Sequence, residues 1–232
     1  MADLLFDPPE IRTIPVRGES AVFPVNRIFC VGRNYAAHAA EMGVEVDREA
    51  PFYFTKSMQS FQPSGTEIPY PPGTGNFHYE MELVLAIGAL AFRVSREEGQ
   101  AAIYGYACGL DMTRRDLQLA AREKGRPWDF GKDVEGSAVV APITKTAGMA
   151  ALGPQRIHLE VNGEVKQDAT LDELIWKTDE IVSHLSHYYH LRPGDLVMTG
   201  TPAGVGPVQP GDSLNGGIEG LDPVTLTVGQ PE

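Results

Sequence analysis

A chain of 232 residues with 42% apolar and 22% charged residues has room for one large domain, and its usage excludes collagen-like, low-complexity and wholly disordered chains. With 31 acidic against 19 basic residues the net charge is -12, which repels polyphosphate and argues against nucleic acid as a partner. The 25 Gly and 18 Pro exceed the usual combined share of about 12% and predict a turn-rich, mostly β chain with some α.

Residues 1–24 carry Pro8, Pro9, Pro15 and Pro24 and read as an extended N-terminal arm with one short edge strand, leaving 25–232 as a single domain. No charged leader with an apolar stretch opens the chain. The longest apolar run, Leu83–Phe92, is about half the ~20 residues of a membrane span, so no membrane partner and a cytoplasmic setting are expected. Cys30 and Cys108 each lie in apolar surroundings and read as two buried thiols in a reducing compartment.

In chain order, Asn26–Gly32 is a short apolar strand, and Asn34 is placed to cap a helix over Tyr35–Met42. Pro51–Gly75 reads as loop with one strand, Phe52–Phe54, that ends at Lys56. Phe77–Phe92 reads as one long strand, Ser95 with Glu98 as a capping box, and Ile103–Leu110 as a buried strand closed by Asp111. Charged and apolar residues alternate with helical spacing from Met112 to Lys124. A last helix is expected near Asp179–His190, and Asp195–Met198 is a strand leaving into Gly-rich turns.

Four constellations could carry chemistry. Period two puts Glu80 and Glu82 on one strand face, and Asp111 ends a second strand. Such a pattern also marks a solvated face, but apolar surroundings make uncompensated carboxylates costly, and three oxygen ligands suit Mg²⁺ or Mn²⁺, with Ca²⁺ possible. Asp111, Arg115, Gln118 and Arg122 fall on one helical stripe, which reads either as a solvated face or as a receptor for a carboxylate beside the metal. His38 and Glu41, three residues apart, read as a surface pair or as a base oriented by a carboxylate. Thr199–Pro202 and Ala203–Gly206 form a Gly-rich turn able to bind an anion, without Walker or dinucleotide spacing. His184, His187 and His190 drift around their helix and make no metal pair. Lys132 follows an aromatic stretch, where it is either an anion contact or solvated.

Gly32-Arg33-Asn34-Tyr35 leading to His38 and Glu41, His78–Leu83, Gly109–Gln118, Gly125–Trp128, Lys132 and Thr199–Pro202 occur in one order across nearly the whole chain. Together they resemble the fumarylacetoacetate hydrolase family, and within it the short bacterial acylpyruvases of fumarylpyruvate hydrolase type. The resemblance implies a mixed β-sandwich roll with peripheral short helices, a homodimer, and a divalent metal on Glu80, Glu82 and Asp111. It implies a small 2-oxo-acid substrate: hydrolysis of the carbon–carbon bond of an acylpyruvate, with fumarylpyruvate leading, or decarboxylation or isomerisation of oxaloacetate on the same site. A carboxylate-binding protein without catalysis is the remaining reading. His38 and Glu41, on a helix that closes as a lid, would activate water with Lys132 nearby, while Arg33, Lys56, Arg115, Gln118 and Thr201 hold the substrate. Asp133 and Glu135 depart from the family's more apolar pattern in Gly131–Ser137, a loop expected to border the distal acyl pocket.

Overall fold

The computed structural model describes residues 4–43, 48–149 and 151–232. From the N-terminus, β1 (Thr13–Pro15) pairs with β2 (Val22–Pro24), and β3 (Arg27–Gly32) leads into α1 (Ala36–Glu41). Then come β4 (Phe52–Lys56), β5 (Phe61–Pro63), β6 (Thr66–Ile68), β7 (Phe77–Tyr79), β8 (Met81–Ile87), α2 (Arg96–Ala101) and β9 (Ile103–Asp111). β10 (Thr113–Arg114), α3 (Arg115–Glu123), α4 (Asp129–Lys132), β11 (Ala138–Val140) and β12 (Thr144–Lys145) follow. The last third holds β13 (Arg156–Val161), β14 (Glu164–Thr170), α5 (Thr178–Ser186), β15 (Asp195–Met198), β16 (Gly206–Pro207), β17 (Ser213–Ile218) and β18 (Val224–Val228).

These strands build a mostly β fold. An eight-stranded mixed sheet runs β4-β3-β15-β8-β9-β11-β5 with β12 beside β9, and a five-stranded sheet runs β14-β13-β17-β18-β6. A separate small sheet runs β10-β7-β16. β8 is buried along its whole length because it lies mid-sheet with both faces covered, which is why its sequence is apolar throughout except at Glu82. Leu83, Leu85 and Ile87 pack with Leu159, Leu214 and Leu226 of the five-stranded sheet. Val84 and Ala86 pack on the other face with Ile28, Cys30 and Met198. Each large aliphatic side chain buried this way contributes roughly 1.5–3 kcal/mol, so the two faces fix the register. A one-residue slip would turn Glu82 towards Leu159.

Several local expectations change. The N-terminal segment carries two paired strands, and Ile14, Val16 and Phe23 are buried against the second face. The 51–75 stretch holds three strands. Phe77–Phe92 is two strands, broken at Glu80 where the chain passes from the small sheet to the large one. Asp111 belongs to β9, and the helix after it starts only at Arg115. The Ser95–Glu98 capping box is present, and both cysteines are free and buried. Among the described residues no helix is long and apolar enough to cross a membrane.

Asn34 is not a helix cap. Tyr35 takes that position without a side-chain bond, while the buried Asn34 amide ties three segments together. Its Nδ2 donates to Trp176 O (3.0 Å) and Thr199 O (2.8 Å), and its Oδ1 accepts from Trp176 N–H (2.7 Å). Asn34→Ala leaves those groups unsatisfied in the interior and is expected to destabilise the fold by about 3 kcal/mol, read as a lower urea midpoint at unchanged slope.

Candidate active site

Glu80, Glu82 and Asp111 meet where β7, β8 and β9 converge. The alternation that buries Val84 and Ala86 also puts Glu82 on the second face of the large sheet, and Ala107 places Asp111 on that face from β9. Glu82 stands opposite Gly109, and Asp111 N–H donates to Glu80 O at 2.9 Å, so the strand break itself is hydrogen-bonded. One carboxylate oxygen from each of the three lies within 4.8 Å of the others, and all three side chains are buried.

Three cations are buried with them. Lys132 Nζ donates to Glu80 Oε2 (2.7 Å), Asp111 Oδ2 (2.6 Å) and Thr113 Oγ1 (2.8 Å). Arg115 bonds Glu80 and the Gln118 side-chain oxygen. Lys56 lies 2.8 Å from Asp111 Oδ1 and also bonds Ser137 Oγ, Met112 O and Lys132 O. Burial pushes the Glu80 carboxyl up, but Lys132 and Arg115 outweigh it and hold Glu80 well below the usual carboxylate range. Burial would lower Lys132, yet Asp111 and Glu80 keep it above its ordinary value, so it is a fixed ammonium.

Glu82 is different. Burial first, then repulsion from Asp111 and Glu80, raise its carboxyl well above the usual range, with Lys132 and the Gly200 N–H (2.8 Å) opposing. A cation among the three oxygens would relieve that repulsion. The all-oxygen set fits a hard dication such as Mg²⁺ or Mn²⁺ and disfavours zinc.

α1 supplies His38, whose Nδ1 lies 3.0 Å from Glu41 Oε2. Glu41 Oε1 accepts from Gly204 N–H at 3.1 Å. The Gly-rich turn after β15 thus holds anions, and they are the protein's own: Gly200 on Glu82 and Gly204 on Glu41. Both glycines have φ near +95°, and a Cβ on Gly204 would stand 2.2 Å from Lys166 O.

His38, Arg33, Arg115, Gln118, Lys132 and Thr201 line one cavity of about 40 Å³ with the three carboxylates, room for little more than a water or two. Glu41 stands behind His38. Lys56, expected to hold substrate, lies outside the cavity lining because Asp111, Ser137 and two carbonyls engage its ammonium beneath the site. Of the helical stripe, Arg115, Gln118 and Arg122 reach the cavity from α3, whereas Asp111 reaches it from β9. Of the 131–137 loop only Lys132 lines it; Asp133 accepts from Ser57 and Ser60 and pins the loop to the chain after β4. The late histidines are elsewhere, with His184 stacked on Tyr53 and His190 on Phe92.

Sequence reasoning missed the residues that position these groups. Buried Gln167 on β14 donates to Thr201 Oγ1 (2.8 Å) and Pro202 O (2.9 Å) and accepts from Met81 N–H (2.9 Å). His78, pushed down to about 4 by burial and by Arg115, is neutral and faces Arg115 Nε with Nδ1 at 3.5 Å. A lone amide in the polar stretch of β14 carries no spacing signal; His78 sits two residues before Glu80, which was the one available hint.

Residues 27–229 match the profile of the fumarylacetoacetate (FAA) hydrolase C-terminal family. The chain is 55% identical over 193 residues to a fumarylpyruvate hydrolase from a Ralstonia species, covering 82% of this chain and all of that one. It is 37% identical over 205 residues to a mitochondrial oxaloacetate tautomerase of Homo sapiens, covering 88% of this chain and 92% of that protein. Its fold superposes on the crystal structure of fumarylpyruvate hydrolase from Pseudomonas aeruginosa in complex with Mn²⁺ and pyruvate, with a TM-score of 0.95 and 45% identity over 98% of this chain and all of that one.

Since burial and its acidic neighbours favour the protonated form of Glu82, which must lose that proton to ligate, apparent Mn²⁺ affinity measured by calorimetry is expected to rise with pH. Glu82→Gln is expected to weaken it by about 100-fold or more and to abolish that slope.

Proposed function

The chain belongs to the fumarylacetoacetate hydrolase family, and from that premise we propose that it hydrolyses an acylpyruvate, fumarylpyruvate first, to pyruvate and the free acid. The observation that carries this reading is a buried carboxylate triad beside a water-sized cavity faced by a His–Glu pair. Glu80, Glu82 and Asp111 would hold the dication, Mg²⁺ or Mn²⁺. A dication bound there supplies Lewis-acid stabilisation for the negative charge that develops on the pyruvate oxygens.

The chain's own groups do the rest. Three carboxylates against Lys56, Lys132 and Arg115 balance in formal charge, so a dication makes the centre net positive and suited to an anionic substrate. Arg115, Gln118, Lys132 and Thr201 orient the 2-oxo acid. With Nδ1 engaged by Glu41, His38 has Nε2 left to take a proton from water, whose oxygen adds to the distal carbonyl. The carbon–carbon pair departs with the methylene carbon of pyruvate, and the proton returns from His38 to that carbon. The Glu41–Gly204 bond holds α1 over the site, and substrate entry requires it to open.

The tautomerase names among the relatives favour a second reading, a keto–enol proton shift of oxaloacetate with His38 as the base. It releases no pyruvate. As part of the same proposal, residues 25–232 act as one catalytic domain in a cytoplasmic homodimer, supported by the family resemblance and two reduced thiols.

A pyruvate-release assay over fumarylpyruvate, acetylpyruvate and oxaloacetate with Mn²⁺ or Mg²⁺ is expected to favour fumarylpyruvate. His38→Ala should lower kcat for that substrate by about 100-fold or more, with Mn²⁺ affinity retained. Pyruvate release surviving in His38→Ala removes the base assignment, and tautomerisation without release favours the second reading.

A further inference from the structure

Beside the catalytic cavity lies a second one of about 580 Å³ that the reaction chemistry does not use. Arg33, Phe54, Arg122 and Trp128 line both, so the two share a wall. Its inner surface is aromatic. Its charged residues are Arg33, Arg122 and Arg126, with Asp129 as the one acid, in a chain of net charge -12.

The backbone is built to aim these guanidiniums. Arg33 has φ +60°, a left-handed conformation unfavourable for a residue with a side chain, directly after β3. Its guanidinium lies 5.5 Å from the Phe52 ring centre and 5.7 Å from that of Trp128, and a Cβ on Gly32 would strike Phe52 at 2.6 Å. α3 ends on Gly125 at φ +60°, with Arg126 N–H donating to Ala121 O (2.8 Å) and Gly125 N–H to Arg122 O (3.1 Å). That left-handed stop turns the chain back so that Arg126 faces the cavity Arg122 already lines. Arg122 gives one N–H to Met42 O, and among the described residues neither Arg122 nor Arg126 has a carboxylate partner.

A planar cationic fork on an aromatic wall binds a carboxylate on a flat, unsaturated chain. We propose that this trough receives the acyl arm of the substrate and that Arg126, with Arg33 and Arg122, selects acylpyruvates whose acyl arm ends in a second carboxylate. The inference rests on the acylpyruvase reading and adds the substrate class and the residue that sets it.

Two measurements on Arg126→Leu test it, with Arg126→Lys as the conservative control. In kinetics, the ratio of kcat/KM for fumarylpyruvate over acetylpyruvate should fall about tenfold or more in Arg126→Leu, mainly through KM, and recover in part in Arg126→Lys. In calorimetry without turnover, wild type should bind fumarate more tightly than crotonate, which has a methyl in place of one carboxylate, and Arg126→Leu should erase that preference. An unchanged ratio, an equal loss on both acylpyruvates, or a fumarate preference absent in wild type or intact in Arg126→Leu overturns the subsite. If wild type releases no pyruvate yet the fumarate preference appears and depends on Arg126, the acylpyruvase reading falls and the subsite stands.

Discussion

Three carboxylates buried with three cations at one end of a mixed sheet are the constraint around which the site is organised. Isolated, any one of these charges would be expensive to bury; together, Glu80, Glu82 and Asp111 with Lys56, Lys132 and Arg115 form a network with hydrogen bonds to nearly every arm. The pairing is uneven. Glu80 and Asp111 are held by cations, whereas Glu82 accepts from a backbone N–H and faces two like-charged neighbours that, with burial, push its carboxyl up.

The fold supplies that unevenness through backbone features rather than side-chain choice. The chain changes sheets at Glu80, which lets two carboxylates from one stretch and one from the next strand converge. The turn after β15 then spends two left-handed glycines on the protein's own acids, Gly200 on Glu82 and Gly204 on Glu41. Asn34 and Gln167 hold that turn at Thr199 and Thr201, so Glu82, Glu41 and Thr201 are all positioned by one loop.

Much of this was legible in the sequence. Period two pairs Glu80 with Glu82 in the sequence, but the strand breaks at Glu80 and the change of sheet is what brings the two together; the buried run Leu83–Ile87 follows from its apolar continuity, a local property. Convergence was not: Lys56 reads as an ordinary strand-end lysine until tertiary packing sets it beneath Asp111, and Gln167 is one amide in a polar strand. Asp111 reads as the head of a helical stripe because its spacing from Arg115 fits a helix, yet it is the last residue of β9 and β10 intervenes before the helix. Asp133 reads as bordering a distal pocket but accepts from Ser57 and Ser60, while Arg126 and Arg33 line the neighbouring trough.

The most direct test of the central claim is an anomalous-scattering measurement on crystals grown with Mn²⁺. The account predicts one Mn²⁺ peak about 2.0–2.3 Å from an oxygen of each of Glu80, Glu82 and Asp111, lost in Glu82→Gln. A metal bound elsewhere, or a triad that stays empty at saturating Mn²⁺, would contradict it.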